Sequence, residues 1–272
     1  MILKRAFKFY RSGYAWAGSR PDDITPYTKR RKAKRLQNRY WSGLLMNRTS
    51  KNITSCIRCG TCCTKGGPTL HAGDRQIILA GHIGTEHLIT IRKGELAYTP
   101  AGEGLHPVQQ ELVKIAGKVR GWECVFFDKA ESSCMIYEHR PLECRILKCW
   151  DTLELLSVIC KDLLARTDII NPGDPILELI DLHEKKCAVQ DMENLLSSLS
   201  DKGDKSTSLK ELEELVREDL SIRTEAVSKF ALPLSAELFM LGRPLFKLLS
   251  GRGIAVQEKH GRIHLGETSA GD

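Results

Sequence analysis

In two stretches, one after residue 174 and one after residue 208, apolar positions recur every three or four residues. Leu177, Ile180, His183 and Cys187 follow Asp174-Pro175, and Leu209, Leu212 and Val216 follow Ser208. That period lays an apolar stripe along one face of a helix. Asn171-Pro172-Gly173 stops whatever precedes, and Ser208-x-x-Glu211 is a capping box. Residues 200–206 are polar and read as a linker. Pro233 and Gly242-Arg243-Pro244 punctuate two more helical pieces. The tail, with Ile254-Ala255-Val256 and Ile263-His264-Leu265 either side of His260-Gly261, predicts a terminal hairpin.

The pattern nearer the N-terminus is shorter and more broken. Asp74 is expected to cap a short helix through Ile77, Ile78 and Leu79. Thr85 is expected to cap another carrying Leu88, Ile89 and Ile91. Residues 93–107 are rich in Gly and Pro and read as a loop. Gly121 to Phe127 predicts a strand, 128–133 a turn, and Cys134-Met135-Ile136-Tyr137 a returning strand. Pro141 opens a helix where its missing N–H costs nothing. That helix carries Ile146 and Leu147 and continues, with or without a break at Asp151, towards Leu164. The chain is therefore expected to be α+β and mainly helical, with a small cysteine-rich metal-cluster domain that contains a short β-hairpin. We divide it into a basic aromatic arm (1–49), the cysteine-cluster domain (50–150) and a helical region packed on that domain (151–272).

At 272 residues the chain can bury a proper core and has no need of disulfide staples, so its ten cysteines exceed what folding requires. No secretory signal and no membrane-length apolar run is visible. A reducing, cytoplasmic setting is expected, where clustered cysteines read as metal or redox sites. The net charge of +7 permits an acidic partner. Residues 1–45 combine Arg and Lys with Tyr and Trp, a composition that can meet phosphates and stack on bases. No nucleic-acid motif accompanies it, so a solvated basic arm is favoured over a nucleic-acid site. Other partners, redox or otherwise, are left open.

The concentrated chemistry lies in Cys56-Ile57-Arg58-Cys59-Gly60-Thr61-Cys62-Cys63. Thiolates so close repel one another unless a metal neutralises them. The first three match the spacing of a bacterial ferredoxin run, but Gly66 stands where that run has its fourth cysteine. The fourth ligand must be Cys63 or come from far along the chain. Cys124, Cys134 and Cys144 flank the expected hairpin and its exit helix, and Cys149 follows. This is not the two-knuckle pattern of a zinc ribbon. A [4Fe–4S] cluster is preferred, with zinc as the alternative. These candidates exceed one four-ligand site, so either a second metal is present or some thiols sit outside the ligand sphere.

Together, Cys56-x2-Cys59-x2-Cys62-Cys63, Cys124-Val-Phe-Phe and Cys134-Met-Ile-Tyr-Glu-His-Arg-Pro-Leu-Glu-Cys144-Arg resemble the CxxCxxCC (YkgJ-type) cysteine-cluster family, a zinc- or iron-chelating domain. The resemblance covers about residues 50–150. It implies that Cys56, Cys59, Cys62, Cys63, Cys124, Cys134 and Cys144 carry an iron–sulfur or zinc centre in a bacterial cytoplasm. Some members of the family are described as flagellin lysine N-methylases, which makes a protein-lysine N-methyltransferase-like enzyme the alternative to a redox or metal-handling role.

Arg140 and Cys149 are expected beside the ligands. Arg140 either balances thiolate charge or fixes its own turn through carbonyl hydrogen bonds. His139 is expected to be solvated, and Trp122, Phe126 and Phe127 to shield the centre. Cys160 and Cys187 are expected to be buried free thiols. His71, His82, His87 and His106 show no ligand spacing. The chain lacks the radical-SAM spacing, a Rossmann fingerprint and a Walker A motif, and catalytic residues, if any, are unassigned.

Overall fold

The structure, a computed structural model, describes residues 56–98, 104–118, 123–200, 205–260 and 262–267. The expected basic arm and Trp122 lie outside them.

Helix α1 (Arg75–Leu79) follows a tight 3-10 turn at Ala72–Asp74. Asp74 precedes the helix but makes no side-chain cap to it. Its carboxylate instead accepts the backbone N–H of His71 and, from a remote segment, that of Leu142. The helix expected after Thr85 is a strand. A 3-10 turn at Thr85–His87 leads into β1 (Leu88–Ile91). Ile89, Thr90 and Ile91 are β-branched and favour extended backbone, which outweighs the cap signal. β1 pairs antiparallel with β4 (Leu112–Ile115), with Leu88 opposite Ile115 and Ile91 opposite Leu112.

The expected loop at 93–107 contains β2 (Leu96–Tyr98) and β3 (Leu105–Pro107), paired antiparallel. Of the strand expected over 121–127, the described residues 123–127 show almost none. β5 (Phe127–Asp128) and β6 (Ser133–Cys134) form a two-residue antiparallel pair, and Cys124 makes only an isolated bridge to Gly117. Asp128 accepts the N–H groups of Ala130 and Glu131 and so folds the chain early.

Helix α2 (Leu142–Ile146) starts after Pro141, and α3 (Leu153–Val158) is a separate helix beyond a turn at 148–151. The stop at 171–173 leads to α4 (Ile176–Lys186), which buries Ile176, Leu179, Ile180 and His183. α5 (Val189–Ser200) follows. α6 (Lys205–Lys229) begins upstream of the capping box, so Ser208 lies inside the helix rather than at its cap. α7 (Glu237–Leu241) and α8 (Leu245–Ser250) follow the two proline punctuations. β7 (Ile254–Lys259) and β8 (Arg262–Glu267) pair in the tail. The architecture is α+β: helices with small antiparallel pairs.

One hydrophobic core runs from Leu70, Val113 and Phe126 to Leu220, Phe239 and Ile263. Polar groups cross it as well. Thr90 Oγ1 donates to the carbonyl of Phe239 at 2.6 Å. Arg166 is 2 % exposed and pairs with Glu111 at 2.5 Å and with Glu184 at 2.8 Å. Arg243 pairs with Glu95. Burying a charge is costly without a partner, and these charges are paired across long sequence separations. The strands near the cysteine segment are thereby held against the C-terminal helices.

Candidate metal centre

The 56–63 loop takes its shape from one glycine and one threonine. Gly60 has φ +72°, and a Cβ there would lie 2.3 Å from Phe127 Cζ. Only glycine lets the loop turn left-handed while lying flat on that ring. Thr64 N–H closes the turn onto the Gly60 carbonyl at 2.9 Å, and Thr64 Oγ1 donates to the Thr61 carbonyl. Arg58, with φ 53°, carries the other left-handed turn. Its N–H points at Cys56 Sγ, 3.4 Å away. N–H donors aimed at sulfur stabilise a thiolate.

The loop is tied to the second cysteine group through backbone. Cys124 N–H donates to the Cys63 carbonyl at 2.8 Å. Cys134 stands opposite Phe127 in the β5–β6 pair, and Met135 N–H donates to the Phe126 carbonyl. Cys144 sits in α2. Glu143 beside it accepts Thr69 N–H at 2.9 Å and faces His71 Nε2 at 3.3 Å, while His71 Nδ1 donates to the Lys161 carbonyl. Asp74 accepts Leu142 N–H at 2.8 Å, so the helix start is clamped to residues 69–74.

These ties gather the thiols. Cys62 Sγ lies 3.9 Å from Cys63 Sγ. Cys124 and Cys144 both act on Cys63, and Cys62, Cys124 and Cys134 all act on Cys144. Cys124 is buried, Cys63, Cys134 and Cys144 are half-buried, and Cys56, Cys59, Cys62 and Cys149 are exposed. Cys149 has Cys59, Cys56 and Cys62 as its thiol neighbours. Cys187 is buried as expected, but Cys160 is exposed, a correction. Cys160 has φ 60° just beyond α3, where the chain swings outward before Leu164 enters the core.

The electrostatics divide the group. Cys59 is lowered below its ordinary pKa, chiefly by a hydrogen bond with Thr61. Cys62 is also lowered, first by its hydrogen bond with Cys63 and further by Arg140. Cys63 is pushed up by that shared proton, by burial and by its neighbouring thiols. Burial comes first for Cys124 and Cys144, with neighbouring thiols adding to it. Bare thiolates at this density destabilise one another. A bound cation reverses that penalty, because ligation deprotonates thiols outright. The donor set therefore fits a thiophilic metal centre.

Cationic and aromatic groups line the thiols. Arg140 stacks over Tyr137 at 3.5 Å and Arg58 lies over the same ring at 4.2 Å. Arg140 Nε donates to the Tyr137 carbonyl at 2.6 Å, so both roles considered for it coexist. Lys118 Nζ donates to the Phe127 carbonyl and helps offset charge at Cys124. His139 is exposed and stacks on His82, with centroids 3.4 Å apart. Phe126 and Phe127 are buried. The clamp of His71, Asp74 and Glu143 and the roles of Gly60 and Lys118 escape sequence reasoning, because their partners lie at remote positions.

A second constellation lies among the helices. His183, Cys187 and Asp219 are buried, with their ligand atoms within 4.8 Å of one another. Those atoms already have partners. Asp219 Oδ1 accepts from His183 Nε2 at 2.7 Å and from Arg223 Nε at 2.9 Å, and Oδ2 accepts Leu245 N–H. Arg92 lies 3.3 Å from His183 Nδ1 and donates to the Cys187 carbonyl. Burial lowers His183 to about 4, and burial raises Cys187 to about 12. Two guanidinium groups and a satisfied carboxylate oppose a cation there, so the constellation is a structural network.

Residues 55–161 match the family model CxxCxxCC, described as "Putative zinc- or iron-chelating domain". This segment carries every thiol of the candidate centre, whereas His183, Cys187 and Asp219 lie outside it. No curated protein and no solved structure matches the chain.

Proposed function

We propose that the clustered cysteines hold an iron–sulfur cluster, of the [4Fe–4S] kind, and that the protein works in a redox or metal-handling role. One observation carries this: the Cys124 N–H is bonded to the Cys63 carbonyl at 2.8 Å, which sets the loop thiols Cys62 and Cys63 near Cys124 and Cys144. Cys56, Cys59, Cys62, Cys63, Cys124, Cys134 and Cys144 are the candidate ligands, with Arg140 balancing charge. When bound, the cluster supplies one-electron chemistry. The chain's own residues hold its thiolates, point the Arg58 N–H at sulfur and shut water out behind Phe126 and Phe127.

Sulfur spacing favours iron–sulfur over a single zinc ion. Four thiolates on zinc, each at about 2.3 Å, stand roughly 3.8 Å apart. Among the described residues no three thiols have all their sulfurs within 4.8 Å of one another. A cubane inserts iron and sulfide between its thiolates and suits a wider cage. Residues 50–150 form the metal-binding unit in this proposal, with 1–49 as a basic arm and 151–272 as helical support. A reducing compartment such as the cytoplasm suits exposed thiols. Among the described residues no helix is long and apolar enough to cross a membrane. The methyltransferase alternative rests on family resemblance alone.

The test is anaerobic purification with iron, labile-sulfide and zinc analysis. The expected result is brown protein with broad absorption near ~400 nm. Colourless protein carrying one equivalent of zinc overturns the cluster.

A further inference from the structure

Arg58 and Arg140 meet on one ring. Arg140 Cζ stands 3.5 Å from the centroid of Tyr137, and Arg58 Cζ stands 4.2 Å from it. The two guanidinium groups come from segments far apart in sequence, so this contact seats the turn at Arg58 beside the turn at Tyr137–His139. Arg140 Nε is taken by the Tyr137 carbonyl. Among the described residues neither guanidinium has a carboxylate at ion-pair distance. Glu138, exposed in the same turn, pairs with neither. A cation held by an aromatic ring rather than by an acid keeps its outer N–H groups for another acceptor.

Apolar side chains flank the pair. Ile57, next to Arg58, is 57 % exposed, and Met135, two residues before Tyr137, is 62 % exposed. A single exposed apolar residue is ordinary, but these two adjoin fixed cations, and Arg, Tyr and Met are residue types that protein interfaces favour. A nucleic acid suits the surface less. Its bases stack on open aromatic rings, and two guanidinium groups already occupy Tyr137. Like charge disfavours the chain's own residues 1–45, which are rich in Arg and Lys, and a second copy of a chain that carries +7.

We propose that Ile57, Arg58, Met135, Tyr137 and Arg140 form a docking surface for a protein partner whose contact face joins carboxylates to apolar side chains. The carboxylates accept from the two planar guanidinium forks, and the apolar side chains cover Ile57 and Met135. The inference rests on the metal-centre reading for its purpose and deepens it by giving that centre a partner. Arg58 lies between Cys56 and Cys59, so a partner docked on it stands against the candidate centre. Arg140 also offsets charge at the thiols, so the exposed Arg58 is the residue that tests the surface.

The test uses the full chain purified anaerobically, with its metal counted and its helical circular dichroism recorded. Fluorescence anisotropy follows labelled probes: a helical peptide presenting Glu and Leu on one face, the same peptide with Gln for Glu, the same with Ser for Leu, and a single-stranded RNA oligonucleotide. The Glu–Leu peptide is expected to bind tightest, and added salt to weaken it. Arg58→Gln keeps the backbone N–H at Cys56 and should weaken this binding about tenfold. Ile57→Ser and Met135→Ser should each weaken it by a smaller factor. Arg262→Gln removes the same charge from an exposed position in β8 and should leave binding unchanged.

Folded wild type that does not bind the Glu–Leu peptide overturns the surface. So does binding untouched by Arg58→Gln, and so does binding that Arg58→Gln and Arg262→Gln weaken equally, which reports net charge alone. RNA bound more tightly than the peptide, or self-association abolished by Arg58→Gln, gives the surface to another occupant and also overturns the proposal. Should Arg58→Gln fail to fold, Ile57→Ser and Met135→Ser decide: wild-type binding in both overturns it. Metal-free wild type that binds the peptide through Arg58 supports the surface and removes the metal reading. Metal-loaded wild type that does not bind removes the surface alone.

Discussion

The backbone N–H of Cys124 donates to the carbonyl of Cys63 at 2.8 Å, joining two cysteine groups that lie far apart in sequence. Main-chain bonding of this kind sets the distance between the groups whatever the side chains do. Metal capture is then a matter of closing a cage whose two halves are already in place, rather than gathering free thiols.

Cys124→Ser is expected to lose most bound metal and to lower the stability of the metal-loaded protein by several kcal/mol, because ligation free energy is folding free energy at such a site. Cys160→Ser should do neither. Metal analysis and chelator-dependent thermal melting compare the two, and equal metal content would remove Cys124 from the ligand set.

Gly60→Ala is expected to disturb the loop from two directions. The Cβ would meet the Phe127 ring at 2.3 Å, and the φ of +72° disfavours an L side chain. A loss of about 2–4 kcal/mol follows from overpacking with backbone strain. Pairing it with Phe127→Leu should recover part of the loss, which denaturant titration can measure. No recovery would place the whole cost in the backbone.

Asp74→Ala is expected to leave the N–H groups of His71 and Leu142 unpaired. Each buried unsatisfied donor costs about 1–3 kcal/mol, so a loss of roughly 2–5 kcal/mol is expected. Asp74→Asn keeps one acceptor oxygen and should lose less. Because Leu142 begins the helix that carries Cys144, Asp74→Ala should also bind metal more weakly. A shift in stability with unchanged metal affinity would confine the clamp to folding.

Arg223→Met is expected to cost about 3–5 kcal/mol, as breaking a buried ion pair leaves its partners uncompensated. Arg223 pairs with Asp219 at 2.9 Å and with Glu237 at 2.5 Å, and all three are buried. Metal content per folded chain should not change, which separates this network from the thiol centre.

Acid should destabilise the same network. Burial first, then Arg92 and Arg223, hold His183 to about 4 against its ordinary 6.5, with Asp219 opposing. The unfolded chain therefore takes up a proton below about pH 6.5 that the folded chain refuses until about pH 4. Stability is full above that window and falls by about 3 kcal/mol on crossing it downwards. Asp219, held below its ordinary value by Arg223 and His183 against burial, adds loss at still lower pH. The other charges near the ring stay ion-paired, Arg92 with Glu184 and Arg223 with Glu237. Denaturation of wild type and His183→Gln across pH 4–7 checks the sign, and equal slopes would exclude His183.

The helices from 174 onward were legible because their apolar spacing is local and their stops are proline and glycine. The strand at Leu88–Ile91 was not, because a cap signal at Thr85 competed with a β-branched run and only pairing with Leu112–Ile115 decides between them. The β2–β3 pair was missed for a similar reason: loop composition does not show what lies opposite it.

The order and types of residues alone determined the chemistry on offer: eight thiols in two groups, too dense for a packed core and suited to a soft metal. That is a property of composition and spacing, which a linear chain carries intact. Which thiols face one another was decided only in three dimensions, through contacts such as Asp74 with Leu142 and Gly60 with Phe127. Such contacts join remote residues through space, so no local pattern records them, and burial divides Cys62 from Cys63 only after the core has formed.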